Sequence, residues 1–234
     1  MLNKFLNNRF LVLYFTPFFI GSLSVLSFQP FNFTAINFLI LPIFLYLIIF
    51  INKKSKSTFR KKPHKKNLFI FGCFFGFGFY LSGISWIVYS LTFDKNFEIL
   101  IPIALILIPL FLSLFSGFTT LIVGPYLNYN FSSIFIFSGA IGFSDFLRSK
   151  ILTGFPWNLW AYSLSPFTEI IQILNLIGLF AFNLIRKLEN KTFAYAFNFY
   201  IRFLTYDKFK LRAKYLGNNI YHLTDSASEI YLQE

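Results

Sequence analysis

Long apolar segments recur along the chain, and they constrain its fold more than any other feature of the sequence. They cover residues 10–28, 33–51, 68–93, 99–123, 131–147 and 170–185. A helix that rises about 1.5 Å per residue needs about 20 apolar residues to cross the hydrocarbon core of a bilayer. Each segment meets or approaches that length. The sequence therefore predicts an all-α integral membrane protein, a bundle of about six transmembrane helices.

The amount of apolar side chain argues against a soluble fold. Of the 234 residues, 56% are hydrophobic and only 13% are charged, and 37 are Phe. One soluble core of this size cannot bury so much apolar surface. We therefore expect lipid to be the solvent for residues 1–185. Residues 186–234 are predicted to form a divergent, basic and polar tail of irregular or helical structure, with a seventh span over 192–206 left open.

The formal net charge of +12 is distributed in a way that indicates membrane topology. Eight of the 21 basic residues lie in the loop 52–67 and eight more follow Leu184. Cytoplasmic loops of membrane proteins carry such an excess of Lys and Arg. This predicts a cytoplasmic N-terminus, a cytoplasmic loop 52–67 and no nucleic-acid partner. An alternative for the loop is a docking patch for anionic lipid head groups.

The sequence offers few groups for metal or thiol chemistry. It has one cysteine, Cys73, and two histidines, His64 and His222, without ligand-spaced partners. We expect no metal and no cofactor. Cys73 lies in an apolar segment, which raises a thiol pKa and favours a buried packing role over a nucleophile. Gly72 and Gly76 share one helix face and predict the close approach of a neighbouring helix.

The stretch 145–162 interrupts the apolar pattern and supplies the candidate site. Asp145 and Arg148 end an apolar segment, and a turn at Gly154 leads into Phe155-Pro156-Trp157. Residues three apart on a helix can form an ion pair. Alternatively, the Arg148 guanidinium binds a phospholipid phosphate, for which its geometry is well suited. Counted from a cytoplasmic N-terminus, the fifth span ends on the outer face, which places residues 149–166 there.

The same residues carry a family resemblance. An acidic residue followed by F-L-R and then L-T-G-F-P-W resembles the signature of the bacterial apolipoprotein N-acyltransferases. S-F-Q-P-F at 27–31, G-F-G at 76–78 and G-I-S-W-I at 83–87 extend the resemblance over about residues 10–185. Asp145 stands where the family usually has Glu, and Ala161 where Gly is usual.

The resemblance implies an enzyme of lipoprotein maturation in the bacterial inner membrane. That family transfers an acyl chain from a phospholipid to the N-terminal diacylglyceryl-cysteine of a lipoprotein, through a thioester on a catalytic Cys assisted by Glu and Lys. Membrane phospholipid and a lipoprotein acceptor are the implied partners; the oligomeric state is left open. The candidate lipid- or substrate-facing residues are Arg148, Asp145, Gly154, Phe155, Pro156, Trp157 and Trp86.

No residue is predicted to be catalytic in this chain. The family's Glu, Lys and Cys belong to a soluble carbon–nitrogen hydrolase-type domain that follows a seventh span, and the tail 186–234 does not resemble it. We therefore expect a truncated or frame-disrupted product that supplies the lipid-holding membrane half. Two alternatives are a non-catalytic membrane protein, such as a transporter half or a scaffold, and an inactive gene remnant.

Overall fold

The computed structural model describes two compact units, Met1–Ala194 and Tyr195–Glu234. The described residues are 8–56, 64–151, 158–167, 170, 172, 178–181, 183, 185, 187, 220–223 and 230–232. The first unit contains α1 (Leu11–Ser27), α2 (Asn37–Lys56), α3 (His64–Ile84), α4 (Ile101–Val123) and α5 (Ser132–Lys150). Short 3-10 helices cover Thr34–Ile36, Ser85–Phe93, Lys95–Leu100, Gly124–Tyr126 and Trp160–Leu164.

These helices occupy the first five predicted segments, and the all-α membrane fold is confirmed. Within the described residues, three helices are long and apolar enough to cross a bilayer: Thr34–Ser55, His64–Phe93 and Lys95–Tyr126. Leu11–Ser27 is apolar but shorter. Lys95–Tyr126 is the most peripheral of the three, because only 17% of its most apolar stretch is buried in the bundle, against 56% for Thr34–Ser55.

Some helix boundaries differ from those expected. The helix predicted over 33–51 continues to Lys56, and the next one begins at His64, before the predicted Leu68. Charged residues at a helix end can extend beyond the hydrocarbon, so hydropathy alone underestimates helix length. Near the other end of α3, the α-helical geometry stops at Ile84, whose φ is −124°, and the chain continues as the 3-10 helix Ser85–Phe93.

The predicted sixth segment, 170–185, falls largely outside the described residues. Ile170 is helical, Gln172 lies in a turn and Gly178 has a φ of +80°. A right-handed helix does not accommodate that φ, so the described positions here do not form one unbroken helix. Helical geometry resumes at the described positions from Leu179 to Lys187. A sixth span stays a prediction.

Glycine allows α3 to approach its neighbours closely, as its spacing predicted. A Cβ at Gly72 would lie 2.0 Å from Thr120 Oγ1 on α4. The Thr120 hydroxyl donates to the Leu68 carbonyl oxygen at 2.8 Å, which ties the two helices together across this contact. On its opposite side α3 touches α1, where a Cβ at Gly78 would lie 2.1 Å from the Phe18 carbonyl oxygen.

Stacked phenylalanines fill the centre of the bundle. The centroid of the Phe44 ring of α2 lies 3.8 Å from that of Phe75 and 5.4 Å from that of Phe71, both on α3. The Phe137 ring of α5 is 5.7 Å away. Aromatic pairs of this kind contribute about 0.5–1.5 kcal/mol each beyond their buried area. They fix the positions of three helices around one core.

Polar side chains join the helices at the end of the bundle that carries the basic loop 52–67, which we call the basic end. Asn52, near the end of α2, donates to the Gly124 carbonyl oxygen after α4 at 3.0 Å. Asn67, at the start of α3, donates to Ser55 at 2.9 Å and accepts from Arg9 at 3.1 Å. The start of α1, the end of α2, the start of α3 and the end of α4 therefore lie together. Successive helices from α1 to α4 are therefore antiparallel.

This arrangement sharpens a topology prediction. Lys54 is exposed at the basic end, and Asn96 is exposed in the link between α3 and α4, at the other end. With single cysteines at these positions in a Cys73→Ser background, we expect an impermeant thiol reagent to label position 96, but not 54, in intact spheroplasts. Ser163 lies in the stretch 149–166 that is predicted to be outside, but it would be a poor reporter because its side chain is fully buried. Labelling of position 54 but not of position 96 would contradict this prediction and indicate the opposite orientation.

The described part of the second unit is a two-stranded hairpin. β1 (Ile220–Leu223) pairs antiparallel with β2 (Ile230–Leu232). The sequence predicted an irregular or helical tail instead. Ile and Tyr recur in both strands, and β-branched and aromatic side chains favour extended backbone, a signal too short to stand out in the sequence.

Candidate functional site

An ion pair closes the last turn of α5. Arg148 Nη2 donates to Asp145 Oδ1 at 3.3 Å, as the spacing of three residues predicted. The Arg148 guanidinium also lies over the Tyr80 ring of α3, 5.2 Å from its centroid, within the range of a cation–π contact. Arg148 is 2% exposed and Asp145 is 7% exposed. The pair is therefore part of the interior and does not project into solvent.

Two further side chains, which the sequence analysis missed, complete this cluster. Asp145 Oδ2 accepts from Lys187 Nζ at 2.5 Å and from Asn183 Nδ2 at 3.0 Å. Asn183 and Lys187 are four residues apart at helical positions, so they share one helix face. That spacing was the available signal. In the sequence, Lys187 was counted only as one of the eight basic residues that follow Leu184.

This cluster of Asp145, Arg148, Asn183 and Lys187 places three charged side chains in the interior of the protein. Of the three carboxylates that the structure describes, Asp94 and Glu98 are exposed and Asp145 is buried. It faces two buried cations, Arg148 and Lys187, so the local sum is one positive charge. Burying charges is costly unless each is paired and hydrogen-bonded. Here both carboxylate oxygens accept hydrogen bonds, which offsets that cost.

The 3-10 helix Trp160–Leu164 packs against this cluster. Asn183 Oδ1 accepts from the Ala161 backbone N–H at 3.0 Å. The neighbouring Trp160 ring stacks on Phe79 of α3, with centroids 5.4 Å apart and planes 5° apart. The Phe28 ring lies 6.1 Å from Trp160. Both the indole and the backbone of this segment are thereby held against the bundle.

A cleft between α2, α3, α4 and α5 is lined by aromatic rings, by side chains with hydroxyl groups and by the Asp145 carboxylate. The rings are Phe44, Phe75, Phe79, Tyr80, Phe137 and Trp160, and the hydroxyls belong to Ser116, Thr119, Thr120 and Ser144. Several apolar walls with a few converging polar groups are typical of binding sites.

The structure brings only part of the predicted site together. Asp145 and Arg148 are paired, while Trp86 lies on the separate 3-10 helix Ser85–Phe93 and is 48% exposed. Tyr89 and Phe93 on the same helix are 73% and 92% exposed. Gly154, Phe155, Pro156 and Trp157 lie outside the described residues. This 3-10 helix therefore presents three exposed aromatic rings at the end of the bundle opposite the loop 52–67.

The profile of the apolipoprotein N-acyltransferase N-terminal domain matches residues 20–188, which is more than half of the chain and includes the whole cluster from Asp145 to Lys187. The chain belongs to the apolipoprotein N-acyltransferase family. The resemblance noted in its motifs is thus confirmed.

Individual members of the family agree with this assignment. The apolipoprotein N-acyltransferase of Rhizobium etli (strain CIAT 652) is 31% identical over 161 residues, covering 68% of this chain and 29% of the relative. That of Rhodopseudomonas palustris is 30% identical over 166 residues, covering 70% and 30%. That of Brucella melitensis is 30% identical over 164 residues, covering 69% and 30%. The matched part of this chain thus spans under one third of the length of these relatives.

Proposed function

We propose that this chain supplies the membrane-embedded part of an apolipoprotein N-acyltransferase, where it holds the phospholipid acyl donor and the lipoprotein acceptor. The observation that carries the proposal is the match over residues 20–188 to the N-terminal domain of that family. The described residues in this range form a bundle of apolar helices, which suits a lipid-holding role. A domain boundary near residue 185 is part of the same proposal.

We place the protein in the bacterial inner membrane with its N-terminus in the cytoplasm. Support comes from the end of the bundle where Arg9, Lys53 and Lys54 lie, because basic residues favour the cytoplasmic side. The opposite end bears the exposed rings of Trp86 and Tyr89. Trp and Tyr favour the boundary between hydrocarbon and water. On this orientation the aromatic end faces outwards.

We propose that the exposed Trp86 contacts the donor lipid, and that the buried Asp145 and Arg148 support the site from the interior. Gly154, Phe155, Pro156 and Trp157 lie outside the described residues and stay candidates for the same lipid contact. Direct contact between Arg148 and a phosphate stays a prediction. It would require the buried guanidinium to leave Asp145, and breaking a buried ion pair costs about 3–5 kcal/mol.

Variants of Trp86 and Arg148 separate these two roles. We expect Trp86→Ala to lower the phospholipid that copurifies per mole of protein roughly twofold, without lowering yield, because it removes an interfacial ring. Arg148→Ala should lower yield while lipid per protein is unchanged. Phe143→Ala, which removes another exposed ring of the bundle, is the matched control. Reduced lipid at normal yield in Arg148→Ala would instead support direct phosphate binding.

A chimera tests the proposed function as a whole. The matched N-terminal region of the Rhizobium etli relative is replaced by residues 20–188 of this chain. In cells depleted of their own N-acyltransferase, we expect the chimera to restore growth and N-acylated lipoprotein, because this region would supply the same lipid-holding bundle. A chimera that inserts into the membrane in normal amounts but acylates nothing would contradict the proposal.

A further inference from the structure

The buried cluster around Asp145 connects three parts of the chain that are distant in sequence. Asp145 belongs to α5, while Asn183 and Lys187 lie 38 and 42 residues further on. Asn183 in turn accepts from the Ala161 N–H. One carboxylate therefore links α5, the helical positions 183 and 187, and the 3-10 helix Trp160–Leu164.

Asn183 has a distinct part in this arrangement because both ends of its amide are used. Its Nδ2 donates to Asp145 and its Oδ1 accepts from the backbone of Ala161, each at 3.0 Å. The side chain is fully buried. A buried amide with both ends bonded fixes the distance and orientation of the two groups that it joins, and losing one partner leaves an unpaired polar group.

The segment held in this way carries Trp160. The Trp160 ring is 4% exposed and lies parallel to Phe79. The carbonyl oxygen of Trp160 also accepts from the Ser163 hydroxyl at 2.7 Å. Among the described residues, the link from the cluster to this segment is the hydrogen bond of the neighbouring Ala161 N–H, which adds to the ring contacts of Trp160.

We infer that Asp145, Asn183 and Lys187 act as a positioning clasp, which fixes the Trp160–Leu164 segment against α3 and α5. Lys187 supplies the charge that draws positions 183 and 187 onto Asp145. Asn183 transmits that position to Ala161. Arg148 and its contact with Tyr80 hold the carboxylate from the other side. None of these residues needs to touch the lipid for the clasp to work.

The local charge balance distinguishes the clasp from simple packing. The native cluster sums to one positive charge, and Asp145→Asn raises this to two buried cations without a carboxylate. Adding Lys187→Met to that variant returns the sum to one, because Met fills a similar volume without charge. The clasp therefore predicts that Lys187→Met partly rescues Asp145→Asn, although each single change removes a native contact.

The test measures the exposure of Trp160. In a Trp86→Phe/Trp157→Phe background, Trp160 is the only one of the chain's three tryptophans that remains. Acrylamide quenching of its fluorescence is measured in purified protein in phospholipid nanodiscs. We expect quenching to rise roughly twofold in Asp145→Asn and in Asn183→Leu, as the segment opens locally. It should fall back towards the parent value in Asp145→Asn/Lys187→Met and stay near it in Asp145→Glu.

Asn52→Leu is the matched control. Asn52 is also a buried amide that binds backbone, but its partner is the Gly124 carbonyl oxygen at the basic end. It should lower stability like Asn183→Leu while leaving Trp160 quenching unchanged. Where Asp145→Asn does not fold, the comparison of Asn183→Leu with Asn52→Leu decides alone. Unchanged quenching in folded Asn183→Leu, or an equal rise in Asn52→Leu, would overturn the inference. Acylation is not measured, so the clasp and the proposed function can fail independently.

Discussion

Cells depleted of their own apolipoprotein N-acyltransferase are not expected to recover when they express these 234 residues alone. Thioester chemistry needs a thiolate beside a general base and an oxyanion donor. The one cysteine of the sequence, Cys73, lies within α3 and faces α4, where its Sγ is 2.3 Å from the Cβ that Gly117 would carry. In triad enzymes, loss of one catalytic member already costs several orders of magnitude in rate.

The measurements are growth and the mass of the N-terminal lipopeptide of an abundant lipoprotein, with membrane fractions checked for the expressed chain. The intact Rhizobium etli apolipoprotein N-acyltransferase serves as the positive control. Rescue that persists with Cys73→Ser would reveal another nucleophile. Rescue that Cys73→Ser abolishes would show that the assignment of Cys73 to helix packing is wrong.

Gly78→Ala is expected to destabilise the bundle strongly. The added Cβ would lie 2.1 Å from the Phe18 carbonyl oxygen and 2.9 Å from the Phe18 carbonyl carbon. Both atoms are backbone, so α1 must move as a unit and no side-chain rotation relieves the clash. Overpacking typically costs about 1–3 kcal/mol, and a backbone clash belongs at the upper end of that range.

A glycine of the same bundle provides the control. A Cβ at Gly139 of α5 would meet nothing within 4 Å. Gly139→Ala should therefore be neutral or stabilise by up to about 1 kcal/mol, since Ala favours helix. The two variants are compared by the temperature at which each loses its monodisperse size-exclusion peak in detergent. Equal temperatures for both would contradict the close α1–α3 contact.

The features that were predictable from the sequence depend on residues close together in the chain. The lengths of the apolar segments predicted the helices. The spacing of Gly72 and Gly76 predicted the tight contact between α3 and α4, and the spacing of Asp145 and Arg148 predicted their ion pair. Each of these follows from helix geometry alone. The prediction of the fold class succeeded for that reason.

The features that were missed depend on tertiary contacts or on backbone detail. Asn183 and Lys187 reach Asp145 from about 40 residues away; their spacing of four indicates a shared helix face but does not identify Asp145 as the partner. Hydropathy also does not distinguish an α-helix from the 3-10 helix Ser85–Phe93, because both are apolar and compact. Trp86 was named from the sequence as a lipid- or substrate-facing candidate, whereas the 3-10 geometry of the backbone that carries it was not predicted.

The shallow burial of Lys95–Tyr126 has a consequence for how this sequence can evolve. Ile103, Ile106, Leu107, Leu110 and Ile122 are each about half or more exposed along it. Lipid chains have no fixed shape, so they accept Ile, Leu, Phe or Val at these positions without a packing penalty. The inner face, with Ser113, Gly117 and Thr120, meets α3 and has no such freedom. We therefore expect substitutions among relatives to concentrate on the exposed side of this helix. Variable and constant positions should then alternate with the period of an α-helix, and the variable ones should mark the face that meets the membrane.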